Sequence, residues 1–246
     1  MKNEAVAGRA GRGKGGREKA SKEKGGKEKA GKEKAGKEGN SPATEADRYP
    51  MADIDDLPAD IRDRILAVQE KSGFVPNVFL KLARRPAEFR AFFAYHDALM
   101  LKESLLSKAE REMIVVATSA LNQCLYCVVA HGAILRIYQK DPLIADQLAT
   151  NYRKAALPPR QRAMIDFACK VAAASATIDE GDHQALERHG FDAESVWDIA
   201  AIAAFFALSN RMANFSAMMP NEEFYLLGRT KAPAAPKTPK APAAPA

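Results

Sequence analysis

Proline, glycine and capping residues divide the middle of this chain into short segments that each have the composition of a helix. Pro58 and Gly73 bracket the first segment, and Asp192 precedes a long apolar one that runs from Val196 to Leu208. No segment shows sustained alternation of apolar and polar residues, the pattern typical of half-buried strands. The spacing therefore predicts an all-α, multi-helix domain over residues 48–230.

The other predicted helices also begin at a capping residue or a proline. Ser107 followed by Glu110 is a capping-box pattern, and it predicts a helix that carries Met113 to Ala120. The remaining predictions are a short helix that Asn77 caps through Leu82, one from Pro86 to Met100, one from the segment after residue 122 to Tyr138, one that Asp141 and Pro142 start, one from Pro159 to Ala174, and one between Asp179 and Gly190.

The two ends of the chain differ from the middle in composition. Residues 1–47 contain a repeated Lys-Glu-Lys unit with almost no large apolar side chains, and residues 231–246 are rich in Ala, Pro and Lys. Such segments bury too little surface to offset the entropy of ordering, so we expect both tails to be disordered. The net charge of +6 resides in them, because residues 48–230 hold 21 basic against 23 acidic groups. The basic N-terminal tail leaves nucleic acid open as a partner.

Three cysteines in 246 residues are too few for a disulfide-stapled secreted domain. The charged N-terminal stretch has no apolar core of the kind found in signal peptides, and no apolar run reaches the length of a membrane span. We therefore expect a cytoplasmic protein with no membrane partner.

Two of the cysteines form a CxxC motif, Cys124 and Cys127, with His131 four residues after the second. On a helix, this spacing places all three side chains on one face. Glu112 lies twelve residues before Cys124, on the predicted capped helix. Its carboxylate either faces the thiols across an antiparallel helix pair or belongs to one more solvated helix residue, and the position taken alone favours the solvated residue. Two thiols, an imidazole and a carboxylate are the parts of a thiol redox centre.

The same residues allow two other interpretations. Cys124, Cys127 and His131 would supply three ligands to a zinc ion, although structural zinc sites usually bring a second Cys/His pair close in sequence. A dithiol can also serve a redox sensor or an oligomeric scaffold that responds to oxidants without turnover.

For several other residues the sequence supports only a less specific interpretation. We expect Cys169 to be a small core residue, His96 to lie on a helix surface or an interface, and Trp197 to lie in the core or a subunit contact. Asn210 and Arg211 follow the apolar segment, where they would bond helix ends or line a pocket.

A weak internal repeat accompanies the motif. Residues 106–117 align with residues 157–168 at an offset of 51, which indicates either an internally duplicated helical unit or a shared amphipathic pattern. At that offset Glu112 corresponds to Ala163, Cys124 to Ser175, Cys127 to Ile178 and His131 to Asp182. Only the first unit would carry reactive groups.

The spacing Glu-x11-Cys-x2-Cys-x3-His, from Glu112 to His131, resembles the alkylhydroperoxidase D-like family of the carboxymuconolactone decarboxylase superfamily. Other parts of the sequence, among them residues 73–77 and Asn210-Arg211, are most similar to the peroxidase-related branch of this family. The resemblance covers roughly residues 50–228.

This resemblance implies an all-helical homo-oligomer that reduces hydrogen peroxide or organic hydroperoxides without a metal, haem or other cofactor. It implies that Cys127 attacks the peroxide, that Cys124 resolves the product as a disulfide, and that Glu112 and His131 relay protons. A dithiol protein of the dihydrolipoyl or thioredoxin-like kind would return the electrons. One position departs from the pattern: Tyr126 stands where the well-described peroxidase of the family has a histidine directly before the second cysteine.

Overall fold

The computed structural model describes residues 48–229, and within that range the chain forms ten α-helices and no strand. The all-α prediction is confirmed. The predicted tails over residues 1–47 and 231–246 lie outside the described residues. The helices are α1 (Ala59–Ser72), α2 (Asn77–Ala83), α3 (Pro86–Met100), α4 (Lys108–Leu121), α5 (Leu125–Gln139), α6 (Ile144–Asn151), α7 (Pro159–Ala174), α8 (Glu180–Glu187), α9 (Ala193–Phe215) and α10 (Glu223–Leu226).

Most helix boundaries lie where the capping residues predict them. Gly73 ends α1 in the left-handed conformation, at a φ of 84° that glycine adopts without a Cβ clash. Ser107 and Glu110 form the predicted capping box at the start of α4. Asp179 caps α8 in the same way, with Asp182 as its reciprocal partner.

Two predicted helix starts are wrong. Asn77 is the first residue of α2 and not its cap, because its side-chain amide donates to the Met219 carbonyl oxygen at 2.8 Å. The helix α6 begins at Ile144, two residues after Pro142. The Asp141 carboxylate accepts from the Leu143 N–H at 2.8 Å, which forms a turn before the helix.

The helix α4 lies at the centre of the domain. Residues 113–117 are buried on every side, because α4 packs against α5, α6, α7 and α9. A smaller aromatic cluster covers α1 to α3, in which the rings of Phe79 and Phe93 stack with centroids 4.4 Å apart. The two regions meet near the start of α5, where the Val78 N–H donates to the Tyr126 hydroxyl oxygen at 3.2 Å.

The helix α9 has one buried side and one exposed side. Ile199, Ile202 and Phe206 are buried against the central helices, as the apolar sequence predicts. Trp197 is 72% exposed, so the expectation that places it in the core is wrong, whereas a subunit contact stays a prediction. Among the described helices, α9 alone is long and apolar enough to cross a membrane, but half of its apolar stretch is buried inside the domain.

The start of the proposed repeat is visible in the helix positions. The helices α4 and α7 begin at Lys108 and Pro159, which are 51 residues apart, and they pack against each other. The two units diverge after these helices. A short turn joins α4 to α5, whereas a 3-10 turn at Ser175–Thr177 precedes the eight-residue α8.

Candidate active site

The turn between α4 and α5 positions the first cysteine. Gln123 adopts a left-handed φ of 52°, and the Cys124 N–H donates to the Ser119 carbonyl oxygen at 3.0 Å, which reverses the chain direction. Cys124 is therefore the N-cap of α5, in an extended conformation. The prediction that places Cys124 within the helix is wrong. The reversal still brings its sulfur to the first turn of α5.

The two thiols meet at the N-terminus of α5. The backbone N–H of Cys127 donates to the Sγ of Cys124 at 3.4 Å, and both cysteines are at most 1% exposed. The helix N-terminus favours negative charge at this sulfur. All three cysteines of the described residues are free thiols.

The two cysteines differ strongly in acidity. The Cys127 side chain and backbone donate to Cys124, and these contacts, helped by Asn210, lower the pKa of Cys124 from 9.0 to about 7 despite burial. The same contact with Cys124, followed by burial, raises the pKa of Cys127 well above 9.0. The pair therefore loses its first proton near pH 7, and the negative charge of the ionised pair lies on Cys124.

Glu112 and His131 form a hydrogen-bonded pair beside the thiols. The His131 Nδ1 lies 2.7 Å from the Glu112 Oε2, between the antiparallel helices α4 and α5, as the sequence predicts. Glu112 is 5% exposed, so this contact takes place in a largely water-free setting. A ring that donates from Nδ1 keeps Nε2 as its acceptor when neutral, which suits a proton carrier. Phe206 packs edge-on against the His131 ring, with centroids 4.8 Å apart.

The helix α9 adds two polar residues whose contact with the thiols the sequence argument does not identify. The Asn210 amide is fully buried and contacts both thiols. It also accepts from the Asn122 side chain of the turn and donates to the Ser119 hydroxyl oxygen of α4, at 2.9 Å each. The Ser209 hydroxyl contacts Cys127, whose pKa it lowers against the larger opposing effects. Two consecutive polar residues within an apolar helix are the signal that points to this role.

Arg211, the other half of the Asn-Arg pair, does not join the site. It is exposed, and its guanidinium donates to the Ala207 carbonyl oxygen one turn earlier on α9, at 2.7 Å.

Tyr126 is buried beside the thiols but does not occupy a relay position. Its hydroxyl oxygen accepts from the Val78 N–H, and its ring packs edge-on against Phe224 at 6.5 Å. Burial raises the pKa of Tyr126 above 10.0, so the phenol stays neutral. Tyr126 therefore connects α5 to α2.

His96 lies closer to the site than the prediction of a helix-surface position indicates. Its side chain is 25% exposed, and its Nδ1 lies 3.0 Å from an Asp97 carboxylate oxygen that also binds Arg64. Burial is the main cause that lowers the pKa of His96, the Asp97 contact opposes it, and the charges of His131 and Glu112 also reach it. The local sequence Tyr-His-Asp carries no signal for this position.

The third cysteine is separate from the site. Cys169 is buried on α7 against Tyr152, and burial raises its pKa to about 11. The prediction that Cys169 is a core residue is confirmed. Within residues 48–229, no group of three or more His, Cys, Asp or Glu side chains is arranged to hold a metal ion.

The middle of the chain matches a known family. Residues 86–142, which include α3 to α5 and all four predicted site residues, match the carboxymuconolactone decarboxylase family. No curated protein matches the chain.

Three solved structures share the fold. The alkylhydroperoxidase AhpD core of an uncharacterized peroxidase-related protein from Ralstonia eutropha JMP134 is 69% identical, with a TM-score of 0.75 over 75% of this chain and 97% of that one. An uncharacterized peroxidase-related protein from Silicibacter sp. TM1040 is 47% identical, with a TM-score of 0.71 over 74% of this chain and 94% of that one. The debrominase Bmp8 in complex with 2,3,4-tribromopyrrole is 17% identical, with a TM-score of 0.62 over 72% and 93%, a likeness of fold alone.

Proposed function

Since the chain belongs to the peroxidase-related branch of the alkylhydroperoxidase D-like proteins, in the carboxymuconolactone decarboxylase superfamily, we propose that it is a thiol-dependent peroxidase. It reduces hydrogen peroxide or organic hydroperoxides through a Cys124–Cys127 dithiol and disulfide cycle. The observation that carries this proposal is the 2.7 Å Glu112–His131 pair beside a CxxC at a helix N-terminus.

The cycle has two steps. A thiolate sulfur attacks the terminal peroxide oxygen, the O–O bond breaks, and the leaving alkoxide takes a proton to become an alcohol, or water from hydrogen peroxide. The second thiol then attacks the resulting sulfenic acid, the S–S bond forms, and water leaves with the thiol proton. An external dithiol protein, dihydrolipoyl or thioredoxin-like, reduces the disulfide again.

Once the dithiol has lost one proton, either sulfur can attack. The family resemblance assigns the attack to Cys127, whereas the negative charge of the ionised pair lies on Cys124. Transfer of the shared proton from Cys127 to Cys124 forms the Cys127 thiolate, so we retain Cys127 as the attacking residue and Cys124 as the resolving one. Trapping of the sulfenic acid in single-cysteine variants tests this: Cys124→Ser should accumulate it at Cys127, and accumulation only at Cys124 in Cys127→Ser would reverse the roles.

The Glu112–His131 pair supplies proton transfer in this scheme. Protonated His131 gives its proton to the leaving oxygen, and the Glu112 carboxylate stabilises the charged ring and holds its orientation. Since both residues are nearly buried, water competes little with these contacts.

The proposal includes a homo-oligomer in the cytoplasm. Several large apolar side chains are more than half exposed, among them Trp197, Leu101 and Leu105. Exposed apolar area of this kind is typical of subunit contacts. A free dithiol requires a compartment that keeps thiols reduced.

The test is mass spectrometry of the reduced full chain after one equivalent of peroxide, followed by a turnover assay with an added dithiol. The proposal expects loss of two protons on the peptide that holds Cys124 and Cys127, and repeated peroxide consumption. Stoichiometric disulfide without turnover by dihydrolipoamide or thioredoxin would instead favour a redox sensor. Stoichiometric zinc that thiol modification releases would favour a metal site.

A further inference from the structure

A large apolar cavity lies between α9 and the pair α2–α3, outside the set of residues assigned above. Its volume is about 820 Å³, within the range of ~300–1,000 Å³ that pockets for small organic molecules occupy. Aromatic and aliphatic side chains from the exposed side of α9 and from α3 line it, among them Phe92, Tyr95, Ala204, Leu208 and Phe215. Hydrogen peroxide needs no apolar cavity of this size.

The cavity leads towards the thiols. A second cavity of about 10 Å³, roughly the space for one water molecule, shares Leu82, Phe92 and Met212 with the large one. Tyr126 and Ser209 line its inner side, and the Ser209 hydroxyl contacts Cys127. Three side chains therefore form the wall between the large cavity and the surroundings of Cys127. Met212 is among them, and its flexible thioether adapts readily to a ligand.

The lining of the large cavity includes basic side chains. Arg84 and Arg85 line the cavity together with Glu88, whose carboxylate pairs with Arg85 at 2.5 Å. Within the described residues, the guanidinium of Arg84 has no carboxylate partner and lies over the Tyr49 ring, 5.2 Å from its centroid. A cationic side chain in the lining of an apolar cavity complements a molecule with one anionic end.

We propose that this cavity binds a long-chain fatty-acid hydroperoxide, with the carboxylate at Arg84 and the chain between α3 and α9. The hydroperoxide group displaces the flexible Met212 side chain and so widens the small cavity beside Ser209 and Cys127. This inference rests on the proposed function and names the substrate class of the same site. The chemistry is that of the two-step cycle: the fatty alcohol takes the chain oxygen, and the terminal oxygen leaves as water when the disulfide forms.

Substrate preference in the full chain tests the proposal. The kcat/KM for linoleic acid hydroperoxide should exceed that for hydrogen peroxide. Arg84→Gln should lower this preference by about 3- to 10-fold, and should have a smaller effect on the uncharged methyl ester. Ala204→Phe fills the cavity and should lower the preference for both the acid and the ester by about tenfold. Ala193→Phe on the same helix and Arg188→Gln on the surface are matched controls that should keep the wild-type preference.

Binding of oleate, measured by isothermal titration calorimetry, separates this inference from the proposed function. Oleate binding that Arg84→Gln and Ala204→Phe weaken would support the cavity as a ligand site, even if no peroxide were turned over and the peroxidase proposal failed. Peroxide turnover with no oleate binding, or an equal preference in Ala204→Phe and Ala193→Phe, would overturn the inference and leave the peroxidase intact. A changed oligomeric mass in Ala204→Phe at unchanged preference would assign the cavity to a second copy of the chain, and would also overturn it.

Discussion

The two helix pairs that begin 51 residues apart, α4–α5 and α7–α8, show what the reactive site requires. Each pair starts with a helix of similar length that packs in the core, yet only the first brings reactive groups together. In the first pair, residues 122–124 reverse the chain and set the N-terminus of α5 against α4, so that Glu112 reaches His131.

In the second pair the corresponding contacts are structural. Asp182, the counterpart of His131, caps α8 and binds Lys170 at 2.6 Å. Ala163 stands in place of Glu112. Two packed helices are therefore not enough to form a pair like Glu112 and His131. A tight turn between the helices and a carboxylate on the first helix are both needed for that contact. Four experiments address this contrast.

The largest expected effect is the loss of peroxide turnover in Cys127→Ser, because this variant lacks the thiol that the proposed cycle assigns to the attack. Cys169→Ser, which changes the buried cysteine of the second pair, should keep wild-type turnover. A coupled assay of peroxide consumption under saturating dithiol measures both. Wild-type turnover in Cys127→Ser would show that the first pair is not the reactive one.

Removal of the proton relay should slow turnover by about 10²–10⁴-fold, the usual contribution of general acid–base catalysis. Glu112→Gln and His131→Gln test it. Asp182→Asn, at the position that corresponds to His131, should turn over at the wild-type rate although it weakens the Lys170 contact. Similar losses in all three variants would mean that the effect comes from folding rather than from proton transfer.

The pH dependence of alkylation should separate the cysteines of the two pairs. Iodoacetamide reacts with thiolate, so the rate at Cys124 should rise with pH through a midpoint near pH 7, because contacts with Cys127 lower its pKa to about 7. The rate at Cys169 should still be rising at pH 9, since burial raises its pKa to about 11. Peptide mapping after short exposures gives both profiles, and a midpoint for Cys124 near the peptide value of about 8.5 would contradict the shared proton.

The smallest effect concerns the two capping boxes. Ser107→Ala should lower the free energy of unfolding by about 1–2 kcal/mol, because the cap is partly buried and Glu110 also binds Arg160 of α7. Asp179 caps the more exposed helix α8, so Asp179→Ala should lower the free energy of unfolding by about 0.5–1 kcal/mol. Urea denaturation measures both, and an equal loss would show that burial does not strengthen the first cap.

Local sequence signals predict much of the fold and half of the site. Pro58, Gly73, Ser107 and Pro159 mark helix ends because capping depends on neighbours within a few residues. Glu112, Cys124, Cys127 and His131 are found by their spacing, since the two helices are adjacent in sequence. Asp141 shows where this reasoning fails, because the same carboxylate stabilises either a cap or a turn and the sequence does not distinguish them.

The sequence by itself determined that the chain folds into helices and that a thiol pair, a histidine and a carboxylate lie on neighbouring helices. Only the tertiary structure decided the rest. Asn210 contacts the thiols and bonds Asn122, which lies 88 residues earlier in the chain, and burial and the charge of His131 lower the pKa of His96 on α3. No local sequence pattern encodes these interactions. The negative charge lies on Cys124 because the Cys127 side chain and backbone donate to its sulfur, helped by the buried Asn210 amide, and these contacts lower its pKa. Long-range packing therefore sets the acidity of residues whose identity the motif already predicts.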